Sequence, residues 1–178
     1  VLARGVDELF MAADDAYANM DAHAAAAALA SLVEQAGAYD LILCGDGSAD
    51  NYAQQTDVQL AAKLGLPVVT GATKIEAKEG AVVVERTLED VVETVEVPLP
   101  AVVSVAPDIA VPRIPGMKDI LAAGKKPMNV FGADAATDAS LETVSCLAPE
   151  QADRKQQVVD ASSDGAIEQF AAALKASL

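Results

Sequence analysis

Asp40-Leu41-Ile42-Leu43-Cys44-Gly45-Asp46-Gly47-Ser48-Ala49-Asp50-Asn51-Tyr52-Ala53-Gln54-Gln55-Thr56-Asp57 is the stretch whose reading decides the fold. A short apolar run ends at a glycine, a small polar loop follows, and a helical pattern begins. That order predicts a strand, a loop and a helix amino-terminus, the place where an α/β sheet offers backbone N–H groups to an anion. Gly45 and Gly47 carry no Cβ and so let the backbone come close to a ligand. Asp50, Asn51, Gln54, Gln55 and Thr56 supply side-chain donors and acceptors for a sugar, a base or a phosphate, which makes this loop the place to look for a ligand. No lysine lies between Gly45 and Lys63, so this is not an ordinary P-loop, nor is it the G-x-G-x-x-G dinucleotide fingerprint. Read without its neighbours, the same loop is equally a solvated connection in which Asp50 or Asn51 caps the helix.

Working outward, the helix that begins near Gln54 runs to Leu64 and is closed by Gly65, and Pro67–Thr70 reads as another short strand. Upstream, Asp21 is a natural N-cap and Gly37 a natural stop for an alanine-rich helix with Leu29, Leu32 and Val33 on one face. His23, in its first turn, is read as a surface residue, since no nucleophile or carboxylate arrangement points to it. Asp7–Ala13 is expected to be a buried strand, after Val1–Gly5 as the last turn of a helix. A helix end with no helix before it suggests that earlier sequence is absent. Strands alternating with helices are the rhythm of a parallel sheet with helices on both faces.

After Gly71 the character changes. Thr73–Ala77 and Ala81–Arg86 flank a hairpin turn at Lys78-Glu79-Gly80, and Val91–Val97 alternates as a strand with one polar face. Ala101–Val105 is nearly all apolar and is expected to return to the buried sheet, which is therefore mixed. Three prolines make 106–116 an extended segment containing Arg113. A short helix follows from Gly116 to Gly124, with Lys125 and Lys126 at its end, and Met128–Phe131 resembles a last edge strand. Residues 132–142, rich in Ala, Asp, Thr and Ser, read as a linker. Gln157–Asp160 is strand-like, and a helix near 163–176 carries Ile167, Phe170, Ala171 and Leu174 on one face. The division expected is an α/β domain over 1–131 and a linker with a C-terminal arm over 132–178.

Composition narrows the partners. Twelve basic residues against 27 acidic ones give a net charge of −15, which disfavours nucleic acid and anionic membrane. No apolar run approaches the length of a membrane span, so membrane insertion is not expected. Cys44 and Cys146 sit in no CxxC, and one histidine cannot build a His-rich zinc site. Both cysteines are read as reduced thiols, and the location as cytoplasmic.

Several pieces in series resemble one family, the β subunit of electron transfer flavoproteins, and in particular its FixA-like branch. They are the loop after the Asp40-Leu41-Ile42-Leu43 strand with its Gln55-Thr56 pair; Val84–Asp90 with Glu93-Thr94-Val95 and Pro100–Ser104; Pro112–Leu121 running into Gly124-Lys125-Lys126; and Leu147–Lys155. Val91 and Ser104 depart from the commonest residues there. The resemblance implies a Rossmann-like sheet of the adenine nucleotide alpha hydrolase type and a heterodimer with an α subunit that carries the redox FAD. It also implies an adenine nucleotide in this chain, AMP in ordinary members and a second FAD in bifurcating ones, held by the loop from Gly45 to Thr56 through Gly45, Ser48, Asp50, Asn51, Gln54, Gln55 and Thr56. Asp57 stands where the family has a glycine, which puts a carboxylate near the expected phosphate.

Met117 falls where the family places the apolar anchor that docks on an acyl-CoA dehydrogenase, with Arg113 and Lys118 beside it. A methionine filling a gap in the core is the alternative, and Lys118, Lys125 and Lys126 serve a helix end equally well through its dipole. Such a subunit is an electron carrier, not an enzyme with bond chemistry of its own. The alternatives are a stand-alone adenine-nucleotide-binding module or hydrolase of similar topology, and a structural partner whose loop binds nothing. Against the hydrolase, no paired carboxylates flank a metal-phosphate site and there is no Ser-His-Asp set.

Overall fold

The computed structural model describes residues 1–18, 20–49, 52–132, 141, 144–151 and 156–177. It separates into one unit over residues 1–142 and a second over 143–178.

The first unit is built on a five-stranded mixed sheet. Its centre is β6 (Ala101–Val105), whose residues 101–104 are all buried. Side chains on a strand alternate between faces, so an unbroken buried run requires cover on both sides. In the order β2-β6-β3-β4-β5, β2 (Leu41–Gly45) and β3 (Val68–Lys78) flank β6 in parallel, while β4 (Ala81–Thr87) and β5 (Val92–Pro98) continue antiparallel. Val69, Ala72, Val82, Val84, Val97 and Val103 belong to one core cluster. Helix α2 (Thr56–Leu64) packs on β3 and β6 and buries Leu60 and Ala61. Helix α1 (Ala22–Ala36) packs on α2 and on β1 (Leu9–Ala12). This is an α/β fold of the Rossmann-like kind, with a mixed sheet flanked by helices.

Several details differ from the expectation. The stretches expected as two strands, Pro67–Thr70 and Thr73–Ala77, belong to the single strand β3, which begins at Val68. Gly71 takes a φ of 69°, and the pairing register shifts between Val69 and Ala72 and again between Ala72 and Lys74. A residue free to enter the left-handed region lets the chain bulge without ending. One strand therefore pairs parallel with β6 over its first part and antiparallel with β4 over its second. The turn between β3 and β4 lies at Glu79-Gly80, where Gly80 has a φ of 70°.

β1 and β7 (Met128–Phe131) do not join this sheet. They pair with each other in parallel, Leu9 opposite Met128 through Ala12 opposite Phe131, with the rings of Phe10 and Phe131 stacked at 6.3 Å. β1 is half-buried rather than buried, since a two-stranded ribbon covers little. The opening residues do form a helical turn, a 3₁₀ turn at Leu2–Arg4 ending on Gly5. The Lys126 ammonium fixes it by donating to the carbonyls of Leu2 (3.1 Å) and Val6.

α1 is capped as expected, Asp21 Oδ1 accepting from the Ala24 amide at 2.7 Å. Its buried residues, however, are Ala24, Ala26 and Ala28, while Leu29 is exposed. Alanines let α1 come close to its neighbours, which leaves the larger Leu29 at the rim. His23 is exposed, with its Nε2 3.4 Å from Lys63 Nζ.

In the second unit no strand forms at 157–160; the segment has no partner strand among the described residues. Helix α4 (Ala166–Lys175) is present, and Ile167, Phe170 and Leu174 on its apolar face are exposed. Most of the expected linker, residues 133–140, lies outside the described residues.

Candidate functional site at the head of α2

The site begins where β2 stops. One residue past Gly45, the Asp46 amide still donates to the Val105 carbonyl at 3.1 Å, so the loop leaves from a point tied to the central strand. The Asp46 carboxylate then organises the loop. Its Oδ2 accepts from the Tyr52 hydroxyl at 2.8 Å and from Gln54 Nε2 at 2.9 Å, while the Tyr52 amide donates to the Ser48 carbonyl at 2.9 Å. Tyr52 and Gln54 both take positive φ, 45° and 51°. Such a conformation costs a non-glycine residue about 1–2 kcal/mol, and the hydrogen bonds to Asp46 offset that cost. The same bond raises the Tyr52 phenol above its ordinary range, because Asp46 holds its proton.

The two loop glycines do different things. A Cβ on Gly47 would lie 2.8 Å from the Tyr52 ring, so this glycine makes room for Tyr52 rather than for a ligand. Nothing lies within 4 Å of where a Cβ on Gly45 would be, which keeps that backbone open. The N-cap position of α2 is Gln55, whose own side chain makes no capping hydrogen bond. Asp50 and Asn51, read as ligand or capping residues, lie outside the described residues. Gln55 instead turns its side chain along α2, where Oε1 accepts from Gln59 Nε2 at 3.4 Å.

Two clefts open on this head. One, of about 490 Å³, brings together Gly45, Ser48, Gln54, Gln55 and Thr56. The other, of about 400 Å³, lies towards β3 and is lined by Gln54, Thr70, Gly71 and Thr87. Asp46 and Asp57 line both. The parallel strands β2 and β6 end here, while β3 passes from its pairing with β6 to its pairing with β4; the ends of parallel strands are the position at which open α/β sheets bind ligands. Sequence reading did not pick out Asp46, Tyr52, Thr70, Gly71 or Thr87 as part of the site. Asp46 carried a signal, being the first polar residue after the strand; Thr70, Gly71 and Thr87 arrive only through the pairing of distant strands.

Asp57 is 4% exposed and stands in the first turn of α2. Burial, and after it the Asp57 charge, push the Cys44 thiol above its usual range. A thiol reacts as its thiolate, and Cys44 is half-buried whereas Cys146 is exposed. A maleimide or disulfide reagent at pH 8 is therefore expected to label Cys146 first. Cys44 follows slowly, and its rate continues to climb with pH beyond the point where an ordinary thiol levels off. Equal rates for the two cysteines would contradict this environment.

The other predicted group lies on the segment leading into helix α3 (Met117–Ala123). Arg113 Nη2 donates to Asp119 Oδ1 at 3.0 Å, and Asp119 Oδ2 accepts from the Gly116 amide at 3.0 Å, so Arg113 helps fix the start of α3. Met117 is 73% exposed and is not a core residue; Ile114 and Leu121 are also exposed, as is Lys118. The basic residue of the Val84–Asp90 stretch has a structural task, since Arg86 on β4 is held by Glu93 on β5 at 2.7 Å, directly opposite it.

Parallel strands flanked by helices, with clefts beside the amino-terminus of α2, define an α/β domain. Residues 1–136 match the electron transfer flavoprotein domain family, and the chain belongs to that family. Its members are flavin-dependent electron carriers. Among the described residues no helix is long and apolar enough to cross a membrane, and no cluster of His, Cys, Asp and Glu forms a metal site.

Proposed function

We propose that this chain is the β subunit of a heterodimeric electron transfer flavoprotein of the FixA-like branch. In that role it holds an adenine nucleotide, AMP or a second FAD, while electrons pass through the FAD of the α subunit. The observation that carries the reading is the cleft at Gly45, Ser48, Gln54, Gln55 and Thr56, at the end of β2 in a chain of this family. Asp50 and Asn51 complete the proposed set from the same loop. The α subunit is the proposed partner of the arm, residues 132–178, and the exposed apolar side chains of α4 suit such a contact. The two free thiols are in keeping with a cytoplasmic protein.

The donor is an acyl-CoA dehydrogenase-type flavoenzyme, docked through Met117 with Lys118 and Arg113 beside it. An exposed, adaptable apolar side chain at a helix start suits an anchor. Met117→Ala is expected to lower the second-order rate of electron transfer from the dehydrogenase about 10- to 30-fold, the usual scale for a central anchor. The α–β pair and the bound cofactors stay unchanged. An unaltered rate would remove Met117 from the docking surface.

A further inference from the structure

Asp46, Gln54 and Asp57 line both clefts, so among the described residues they form the ridge between them. Asp57 is almost wholly buried, which leaves Asp46 and Gln54 as the part of the ridge that meets solvent. One hydrogen bond joins these two, from Gln54 Nε2 to Asp46 Oδ2 at 2.9 Å. Its two ends are held differently. Asp46 follows directly on β2, its amide donates to the Val105 carbonyl, and its carboxylate also accepts from the Tyr52 hydroxyl. Gln54 is exposed and reaches across on a flexible side chain, its stem passing Gly47 where a Cβ would lie 3.4 Å from Gln54 Cγ. Each cleft alone, about 490 Å³ and about 400 Å³, falls in the lower half of the roughly 300–1,000 Å³ typical of ligand pockets. Either has room for a mononucleotide. A dinucleotide, with a second nucleoside to place, needs the two joined.

We propose that Gln54 is a side-chain gate between the two clefts and fixes the size of the ligand that this chain accepts. While Gln54 rests on Asp46 the clefts stay separate, and the site takes a mononucleotide. A ligand that spans both must first displace Gln54 and take a donor from the Asp46 carboxylate, and the wall therefore discriminates against FAD without touching AMP. Asp46 is the fixed post of this gate and Gln54 its moving part. The proposal rests on the nucleotide reading above and narrows it to a ligand of the size of AMP.

The test is calorimetric titration of the 178-residue chain, of Gln54→Gly and of Gln54→Glu with AMP and with FAD, circular dichroism establishing that each protein is folded. Glycine takes the φ of 51° at this position without strain and removes the gate. Glutamate keeps the length of the side chain but sets a second carboxylate against Asp46, which drives the gate open. The unmodified chain is expected to bind AMP about tenfold or more tighter than FAD, and both variants to move that ratio about tenfold or more towards FAD. Gln54 lines each cleft, so the ratio, not either affinity, is the readout. FAD bound as tightly as AMP by the unmodified chain, or a ratio that either variant leaves in place, overturns the gate and spares the nucleotide site. The first of these requires no variant to fold. If neither compound binds any of these proteins, the nucleotide reading fails, and the gate with it.

Discussion

Val103→Asp is expected to unfold residues 1–142, while Leu43→Asp, directly opposite it in the sheet, leaves the fold standing. The two residues are register partners on β6 and β2, yet Val103 is 0% exposed and Leu43 is 58% exposed. The difference comes from position, since β6 has a strand on either side and β2 is an edge. A carboxylate at 103 would displace part of the valine cluster and find no cation among the core residues around it. An unpaired buried charge costs several kcal/mol even after relaxation, a large part of the 5–15 kcal/mol by which domains of about this size are stable. At 43 the same carboxylate stays in water, and the cost is expected to be about 1 kcal/mol or less. Thermal melts followed by circular dichroism distinguish the two. Similar melting temperatures for both variants would mean that β6 is not the central strand.

Gln55→Ala combined with Thr56→Ala is expected to leave the fold intact and to release the nucleotide. Neither side chain is buried, and alanine suits the start of a helix, so stability should move by about 0.5 kcal/mol or less. Under the proposed function these two side chains meet the ligand where α2 begins. Each neutral hydrogen bond lost is worth about 0.5–1.5 kcal/mol, and two together predict binding about 10- to 100-fold weaker. The readout is the nucleotide retained by the purified protein after gel filtration. Full retention would take the loop out of the site.

How much of this was legible in the sequence depended on how local the cause was. The strand ending at Gly45, the helix closed by Gly65 and the turn at Gly80 each follow from a few adjacent residues, and the structure has all three. Ala101–Val105 was legible as buried because a continuous apolar run has few other uses. What escaped was set by distant partners. Gly71 looked like a break and is a bulge inside β3, because β6 and β4 hold the chain on either side of it. Met128–Phe131 looked like an edge of the main sheet and pairs with β1 instead. In α1 the leucines drew attention, but close packing selected the alanines.

The candidate site divides in the same way. The loop from Gly45 to Thr56 was visible as a polar stretch between a strand and a helix. The use of Gly47 was not, because it depends on where the Tyr52 ring settles. Nor was the burial of Asp57, which a polar residue in a helix's first turn does not announce.

The measurement that bears most directly on the account is the identity of the nucleotides in the intact complex. The chain is co-expressed with its proposed flavin-bearing partner, the purified complex is denatured, and the released compounds are separated and quantified. The account predicts an adenine nucleotide, AMP or FAD, in addition to the partner's FAD, and its loss from the complex carrying Gln55→Ala with Thr56→Ala. A stable complex that releases the partner's FAD and no second nucleotide would contradict it.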